Sequence, residues 1–514
     1  MSLYPPNMPA TSKYIPNEIL GHILLLACDP SAPVVLHVLK GTMTAPDSRL
    51  EIARVCRRWR AVALSLGSLW SNILVTDGIE ETRFGYLGYA GQGTFRPRND
   101  NRVQSSAISV EGVVAVLNQW LSKSTVPLTI KWQVSSSIDR RVQEACIQPL
   151  FAYTKRWKAV EMHLGFDPNS TNWPIKWFDA YPQLERLALH HHTTRPWFYP
   201  MMIEVEHCPR LVNLTLANAS LARWDMPTST LTELTYAGSG GDARTNLAWL
   251  LANVHKLSSL TCLRVETIDL LQEFSPADSG IVRLSGLKEL SLRDLDDRCT
   301  VTLLRILVCP ELERLSIAFP ESRMSWTERM HTHFLHFIAH CSDSLLELTF
   351  DVNAHATQDV HSFLPSLPHL TSLNCPPLTS ASCQLLTLRY ASDGRLDSGM
   401  LPRLRSFSML TELRKRIVMA PLAAANAHDP FLWRNIVDML VSRFRPPANA
   451  VDEEDQPVQP LQKAVLYSAK GDDKGWWSRE HPYELARLEA LAAEGFDVEI
   501  KADPAPVGPA VIIY

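Results

Sequence analysis

Apolar positions near the start of the chain recur at the spacing of an amphipathic helix in two separate segments. In residues 14–27, Pro16 suits an opening helical turn, and the apolar positions are Ile19, Leu20, Ile23, Leu24 and Ala27. In residues 50–75, the apolar positions are Ile52, Val55, Cys56, Trp59 and Val62. A helical pair of about fifty residues buries too little apolar surface to be stable alone. We therefore expect it to dock on the rest of the chain, on a partner, or on both.

Three short motifs occur in these segments: I-P-x-E-I-L at 15–20, V-C-R-x-W-R at 55–60 and L-W at 69–70. In this order they resemble the F-box of fungal F-box proteins, a helical module that docks on the Skp adaptor of Skp–cullin–F-box ubiquitin ligases. The resemblance implies an F-box at 14–75, with the Skp adaptor and, through it, a cullin as partners. The spacer at 29–49 departs from the family because it is longer and richer in proline. The alternative is a helical hairpin that caps another domain.

The apolar excess on the two helices marks eight residues as candidates for contact with the adaptor. They are Pro16, Ile19, Leu20, Ile23, Val55, Cys56, Trp59 and Trp70. Some of them must instead pack the two helices against each other, and the sequence alone does not sort the two groups.

The middle of the chain repeats the pattern L-x-x-L-x-L, with other apolar residues allowed. Its copies start at Trp157, Leu184, Leu211, Leu231, Leu260, Leu287, Leu312, Leu345, Leu370 and Leu404. The average spacing of about 27 residues falls in the range of leucine-rich repeats. Each L-x-L alternation predicts a short strand with one buried face. Helical return segments are predicted at 246–257, 301–310 and 330–341.

The predicted fold is therefore α/β: an N-terminal helical F-box followed by an irregular leucine-rich-repeat solenoid with parallel strands inside and helices outside. The buried ladder is expected to include Leu187, Leu189, Leu214, Leu216, Leu290, Leu292, Leu315 and Ile317. An ordinary α/β domain with leucine-rich strands is the alternative.

The domain boundaries follow from these patterns. The predicted segments are a tail at 1–13, the F-box at 14–75, a loop at 76–109, the solenoid at 110–425, a C-terminal capping unit at 426–502 and a tail at 503–514. The solenoid opens with a helix–strand cap at 111–132. The C-terminal unit contains a helix at 429–445, an acidic, proline-rich and mobile loop at 446–460, and a final strand–helix–strand.

Composition narrows the possible partners of the chain. A net charge of −4 and a pI near 6.5 give no basic footprint for nucleic acid and no polybasic membrane signal. No apolar run is long enough to span a bilayer, and the start does not resemble a secretory signal. Ten scattered cysteines without a C-x-x-C pair favour reduced thiols. We expect a cytoplasmic and/or nuclear protein.

Candidate chemistry is sparse. The three histidines at 190–192 end a repeat strand, and His336 and His340 stand four residues apart on a helix, a spacing that zinc can use. Loop, packed or exposed histidines are the favoured interpretation in both cases. There is no G-x-S-x-G or G-x-x-x-x-G-K-[ST] motif. We therefore expect no catalytic residues, no metal and no cofactor.

The outward residues of the repeat strands are the candidates for binding a protein target, because side chains alternate between the two faces of a strand. The ladder of outward residues includes Glu161, and the six candidate contacts are Arg186, Glu233, Arg264, Glu289, Arg293 and Arg314. With the resemblance, this predicts a substrate-recognition subunit of a ubiquitin ligase. A non-degradative scaffold and an unrecognised enzyme are the alternatives.

Overall fold

The computed structural model describes residues 15–28, 32–39, 42–44, 55–76, 110–123, 126–134, 140–164, 181–191, 208–217, 230–238, 251, 254, 256–266, 280–319, 326–351, 362–375, 378–410, 432–452, 456–468, 477–479 and 481–502. Predictions for the two tails, for 77–109, for Ile52 and for most of the helix at 246–257 lie outside these residues. The chain divides into two compact units, Met1–Leu231 and Thr232–Tyr514. The predicted solenoid at 110–425 therefore contributes residues to both units.

The described part of unit 1 is a sheet with helices between its strands. Its helices are α1 (Asn17–Ala27), α2 (Arg57–Ser65), α3 (Val110–Lys123) and α4 (Arg140–Phe151). Its strands are β1 (Val34–Leu39), β2 (Thr42–Thr44), β3 (Asn72–Thr76), β4 (Leu128–Val134), β5 (Trp157–Leu164), β6 (Arg186–His191) and β7 (Asn213–Ala217). The strands pair in the order β2-β1-β3-β4-β5-β6-β7, with β2 antiparallel to β1 and each later pair parallel.

Two strands of this parallel sheet come from the segment predicted to form the helical F-box. Strand β1 lies in the spacer at 29–49, and β3 directly follows the short 3-10 helix Gly67–Trp70. The prediction of one helix over 50–75 is therefore wrong beyond Ser65. The alternation of buried Ile73 and Val75 fits the two-residue period of a strand, and it places β3 between β1 and β4. Strand β4, expected to open the solenoid, thus has an inner position.

The described part of unit 2 follows the same plan. Its helices are α5 (Asp297–Ile306), α6 (Glu328–Ala339), α7 (Ser380–Leu386), α8 (Leu432–Phe444) and α9 (Pro482–Ala493). Its strands are β8 (Glu233–Ala237), β9 (Cys262–Glu266), β10 (Val282–Arg283), β11 (Glu289–Arg293), β12 (Leu307–Val308), β13 (Arg314–Ala318), β14 (Glu347–Asp351), β15 (Ser372–Cys375), β16 (Arg389–Tyr390), β17 (Leu396–Ser398), β18 (Ser406–Leu410), β19 (Lys463–Ser468) and β20 (Asp497–Ala502).

The main sheet of unit 2 is parallel throughout. Its order is β8-β9-β11-β13-β14-β15-β18-β19-β20. Two short pairs lie outside it: β10 with β12, parallel, and β16 with β17, antiparallel. The helix predicted at 330–341 is confirmed as α6. The helix predicted at 301–310 is confirmed up to Ile306 as part of α5, and strand β12 replaces it from Leu307. The predicted final strand–helix–strand is confirmed as β19, α9 and β20, whose strands extend this same sheet.

The helices of unit 2 begin at residues that suit helix starts. The Asp296 carboxylate accepts a hydrogen bond from the Cys299 N–H at 2.6 Å, and the Thr327 hydroxyl accepts one from the Met330 N–H at 3.1 Å. Thr379 caps α7 in the same way. Such caps satisfy N–H groups that have no partner inside the helix. Each helix is thereby fixed in its start point as well as by its buried face.

Buried leucines at alternate positions hold both sheets in register. The eight residues of the predicted ladder are all buried, each no more than 3% exposed. They stand opposite one another in neighbouring strands, as Leu187 does with Leu214 and Leu290 with Leu315. The prediction of parallel strands with this buried row is therefore confirmed within each unit.

The segment at 446–460, predicted to be a mobile loop, packs against its neighbours at the residues that the structure describes. Ala450 and Val458 form a small apolar cluster with Leu388. The Asp452 carboxylate is buried; it accepts a hydrogen bond from the Gln456 N–H at 2.8 Å and lies 3.5 Å from the Arg403 guanidinium. Two apolar residues thus attach a segment whose composition alone indicates a loop.

Arg443 on α8 is buried without a carboxylate partner among its described contacts. Its guanidinium donates hydrogen bonds to the carbonyl oxygens of Leu386 and Leu401, both at 2.8 Å, and to that of Met400. Burial lowers the pKa of Arg443 to about 9. The three carbonyls belong to the chain on either side of the β16–β17 pair, so a single side chain connects this excursion to α8.

Removing one residue of the buried ladder should destabilise unit 2. We expect Leu290→Ala to lower the free energy of unfolding by about 2–5 kcal/mol, because it deletes buried methyl groups and leaves a cavity. Ser291→Ala, on the outward side of the same strand, is the control and should change it by less than about 0.5 kcal/mol. Urea unfolding monitored by circular dichroism measures both, and equal effects would contradict the assigned register.

Candidate protein-binding site

Helix α1 has a buried face and an exposed apolar face. Pro16 occupies the N-cap position, and its carbonyl accepts a hydrogen bond from the Leu20 N–H at 3.0 Å. Leu20, Gly21 and Leu24 are buried. On the other side Ile19, Ile23 and Leu26 are 50%, 39% and 88% exposed. Their spacing of four and three residues aligns them in one stripe, so α1 presents a continuous apolar surface to solvent.

Helix α2 starts later than the sequence predicts. Cys56 is its N-cap: the Cys56 Sγ accepts a hydrogen bond from the Trp59 N–H at 3.5 Å. Val55 and Cys56 therefore precede the helix, and both are exposed. Trp59 is half-buried. This start adds a fourth exposed apolar residue, Val55, to the N-terminal region.

Polar and apolar contacts join the two helices. The Arg58 Nε donates to the Asn17 Oδ1 at 3.0 Å, and its Nη2 donates to the Ile15 carbonyl. Gly21 faces the Leu66 side chain, where a β-carbon would make ordinary contact at 3.6 Å. The buried Trp70 indole donates to the Ala63 carbonyl at 2.8 Å. One face of each helix is thus committed to the interior of unit 1.

The structure divides the eight candidate adaptor contacts into two groups. Leu20 and Trp70 are core residues, no more than 2% exposed, and cannot contact a partner in this arrangement. The exposed candidates are Pro16, Ile19, Ile23, Val55 and Cys56, with Trp59 half-buried. Leu26 was missed, although it is the most exposed of the apolar side chains on α1. Leu26 follows Ile19 by seven residues, about two helical turns, and this spacing is the sequence signal that places both on one face.

A comparison with protein families agrees with this geometry. Residues 13–76 match the family model described as F-box-like. The chain carries an F-box-like domain. Such a domain indicates in general a role as an adaptor subunit in ubiquitin ligation, and F-box domains generally bind Skp adaptors. No curated protein matches the chain.

The outward face of the unit 2 sheet carries an ion-pair ladder. The Arg264 Nη2 lies 2.6 Å from the Glu289 Oε1, and the Arg314 Nη2 lies 3.1 Å from the Glu289 Oε2. Partial burial by itself raises the pKa of Glu289, but the hydrogen bonds from the two arginines outweigh it and lower that pKa. The same carboxylate raises the pKa of Arg264 by hydrogen bonding. Three of the six candidate target contacts therefore form one unit.

Of the other three candidate target contacts, Glu233 acts on this unit through its charge, which also raises the pKa of Arg264. Arg293 is exposed, and its Nε lies 3.7 Å from the Asp294 carboxylate. Arg186 is exposed on β6 of unit 1, and Glu233 is half-buried on β8. All six residues lie on the outward positions of their strands, opposite in direction to the buried leucines.

The described residues show little that suits covalent catalysis. Nine cysteines are buried, and Cys56 is exposed. Burial raises the pKa of Cys146 to about 11 and that of Cys208 to about 12, so these thiols stay protonated at neutral pH. His336 and His340 on α6 place their rings edge to face at 4.9 Å. No described helix is long and apolar enough to cross a membrane.

The ion-pair ladder predicts a specific dependence of stability on pH. Because the pKa of Glu289 is lower in the folded chain, its carboxylate stabilises the fold above the unfolded-state pKa of about 4.3, and this contribution is lost as pH falls through the folded-state value. Glu289→Gln should therefore cost at most about 1 kcal/mol at pH 7, given the exposure of the pair, and progressively less as the pH falls below about 4.3.

Urea unfolding at several pH values measures this difference between Glu289→Gln and the parent. Glu347→Gln, in the neighbouring row position on β14, controls for the loss of one negative charge. If Glu289→Gln lowered the free energy of unfolding equally at both ends of the pH range, the stabilising role of the ionised Glu289 carboxylate would be contradicted.

Proposed function

We propose that this protein is the substrate-recognition subunit of a Skp–cullin–F-box ubiquitin ligase. In this proposal the F-box-like domain docks on the Skp adaptor, and the outward face of the parallel strands captures a protein target. The observation that carries it is the exposed apolar stripe Ile19, Ile23 and Leu26, which lies inside the region matching the F-box-like family. An exposed apolar stripe on a helix is the surface that a partner buries.

The energetics of the stripe support docking. Burial of one exposed isoleucine or leucine side chain contributes about 1.5–3 kcal/mol, so three aligned side chains and Val55 offer enough to offset much of the entropy lost on association. The Arg58 contacts to Asn17 and Ile15 fix the two helices relative to each other before binding. A preorganised surface loses less entropy on docking than a mobile one.

We further propose that the parallel strands belong to an irregular leucine-rich-repeat solenoid. The support is the recurrence of the strand and its buried leucines at an average spacing of about 27 residues, with helices α5 and α6 between strands. The proposed target is a folded protein or peptide with mixed charge, since the outward ladder alternates arginine and glutamate. The chain would position this target, and the chemistry would occur on the ubiquitin-carrying subunits. The proposed location is cytoplasmic and/or nuclear.

Adaptor docking can be tested by placing charge in the stripe. Ile23→Asp with Leu26→Asp should weaken binding to a purified Skp adaptor more than about thirtyfold, because loss of an interface hot spot costs about 2 kcal/mol or more. Ile281→Asp is the matched control, since Ile281 is an exposed isoleucine of unit 2. Unchanged binding by the double variant would overturn adaptor docking. Adaptor binding without recovery of a cullin from cells would favour the scaffold alternative.

Target capture can be tested on the arginine ladder. Arg264→Gln, Arg293→Gln and Arg314→Gln together should reduce recovery of protein targets from cells while leaving adaptor recovery unchanged. Neutral substitutions are preferable to charge reversal, which would place new carboxylates against Glu289. The control removes three arginines from the helices α5 and α6: Arg298→Gln, Arg305→Gln and Arg329→Gln. Equal recovery by the two triple variants would show that the outward face does not select targets.

A further inference from the structure

The first histidine of the run at 190–192 has a specific neighbour in unit 1. In the parallel register of β5 and β6, His163 stands opposite His190, and Glu161 stands opposite Ala188. The two imidazole rings stack with centroids 4.3 Å apart and an interplanar angle of 8°. All four residues occupy outward positions, because Leu187 and Leu189 of the same strand are buried on the other face.

Glu161 completes a compact group of donor atoms. Its Oε1 lies 2.8 Å from the Nε2 of His163, and one donor atom from each of Glu161, His163 and His190 lies within 4.8 Å of the others. His163 is nearly buried, whereas Glu161 is half-buried. Ala188, which stands opposite Glu161, contributes only a methyl group to the square formed by these four positions.

The donor set matches the preferences of zinc and related ions. Imidazole nitrogen and carboxylate oxygen bind Zn²⁺ at about 2.0–2.2 Å, which places the donors of a tetrahedral site about 3.4 Å apart. The Glu161 and His163 donors are 2.8 Å apart and all three lie within 4.8 Å, so small side-chain rotations would bring them to that separation. Both imidazoles must be neutral to ligate, and the carboxylate must be ionised.

We propose that Glu161, His163 and His190 form a binding site for a divalent transition-metal ion of the zinc class. The stacked rings are parallel, so one of them must turn about its side-chain bonds for both nitrogens to point at a single ion. Lys131 on β4 already places a cation beside this carboxylate, with its Nζ 3.6 Å from the Glu161 Oε1. The ion would compete with this ammonium for Glu161, link β5 to β6, and add positive charge to the outward face.

A second histidine pair provides an internal comparison. His336 on α6 and His340, the C-cap residue of that helix, are four residues apart, and their rings are in contact. Among the described residues, only the Glu161 group brings a third ligand-type side chain to two histidines. Metal binding is therefore expected at His163 and His190 and not at His336 and His340.

Zinc titration of the full chain tests the proposal. All variants carry Cys56→Ser, which removes the exposed thiol and retains a helix-capping residue. Zn²⁺ should raise the thermal unfolding temperature of this parent and of the His336→Ala, His340→Ala control. The same addition should leave the His163→Ala, His190→Ala variant unchanged. By isothermal titration calorimetry, the site variant should bind at least about tenfold more weakly.

Two single substitutions keep the test informative if the double alanine variant fails to fold. Glu161→Gln should weaken zinc binding, because an amide is a poor ligand for this ion. Lys131→Met should strengthen it, because the competing ammonium is removed. Absence of a zinc effect in the parent would overturn the proposal. So would equal zinc effects in the parent, Glu161→Gln and Lys131→Met, which would indicate nonspecific binding.

Discussion

The alternation of side chains along each parallel strand is the constraint on which the rest of the structure depends. A slip of one residue between β11 and β13 would move Leu290 and Leu292 to the outward face and bring Glu289 towards the core. Burial of an unpaired carboxylate is strongly unfavourable, so the slip is opposed from both sides of the sheet. The Arg264–Glu289–Arg314 unit exists because the buried row keeps three strands in register. The ion pairs on the outward face therefore depend on the packing of the leucines on the buried face.

The same logic applies to the N-terminal helices with a different period. Helix α1 must present Leu20 and Leu24 to unit 1, and the helical repeat then leaves Ile19, Ile23 and Leu26 on the opposite side. A helix that is apolar nearly all round is unusual at a surface, because one face remains in water. In the F-box-like domain, one face of α1 is therefore packed against unit 1, and the other is an exposed apolar surface of the kind that a partner buries.

Much of the sheet could be predicted from sequence because its signal is local. The two-residue alternation of leucines identifies each repeat strand within six residues, and α5, α6 and α9 show a clear helical period. Strands β1 and β3 were missed because the motifs around them favour helix, and their pairing joins Val34 to Ile73 across the chain. Pairing between strands so far apart in the sequence depends on tertiary structure, and no local pattern encodes it.

The sites were harder to predict than the fold, for the same reason. The sequence named Leu20 and Ile19 together, and only the docking direction of α1 separates the core residue from the exposed one. The Glu161–His163–His190 group depends on the register between β5 and β6. His190 by itself indicates only a loop-end histidine. By contrast, the outward arginines were predictable, since strand alternation assigns a face as soon as the leucines are identified.

The position of β3 has a mechanical consequence for the F-box-like domain. The chain passes from α2 through one 3-10 turn into a strand that is hydrogen-bonded on both sides, to β1 and to β4. Force applied to the helices is therefore transmitted into the sheet of unit 1 instead of being absorbed by a flexible tether. Each strand adds about 4.8 Å, so β7 stands about 19 Å from β3. A partner bound to α1 and a protein bound to this sheet would therefore be held at a fixed distance from each other. The number of strands between them sets that distance.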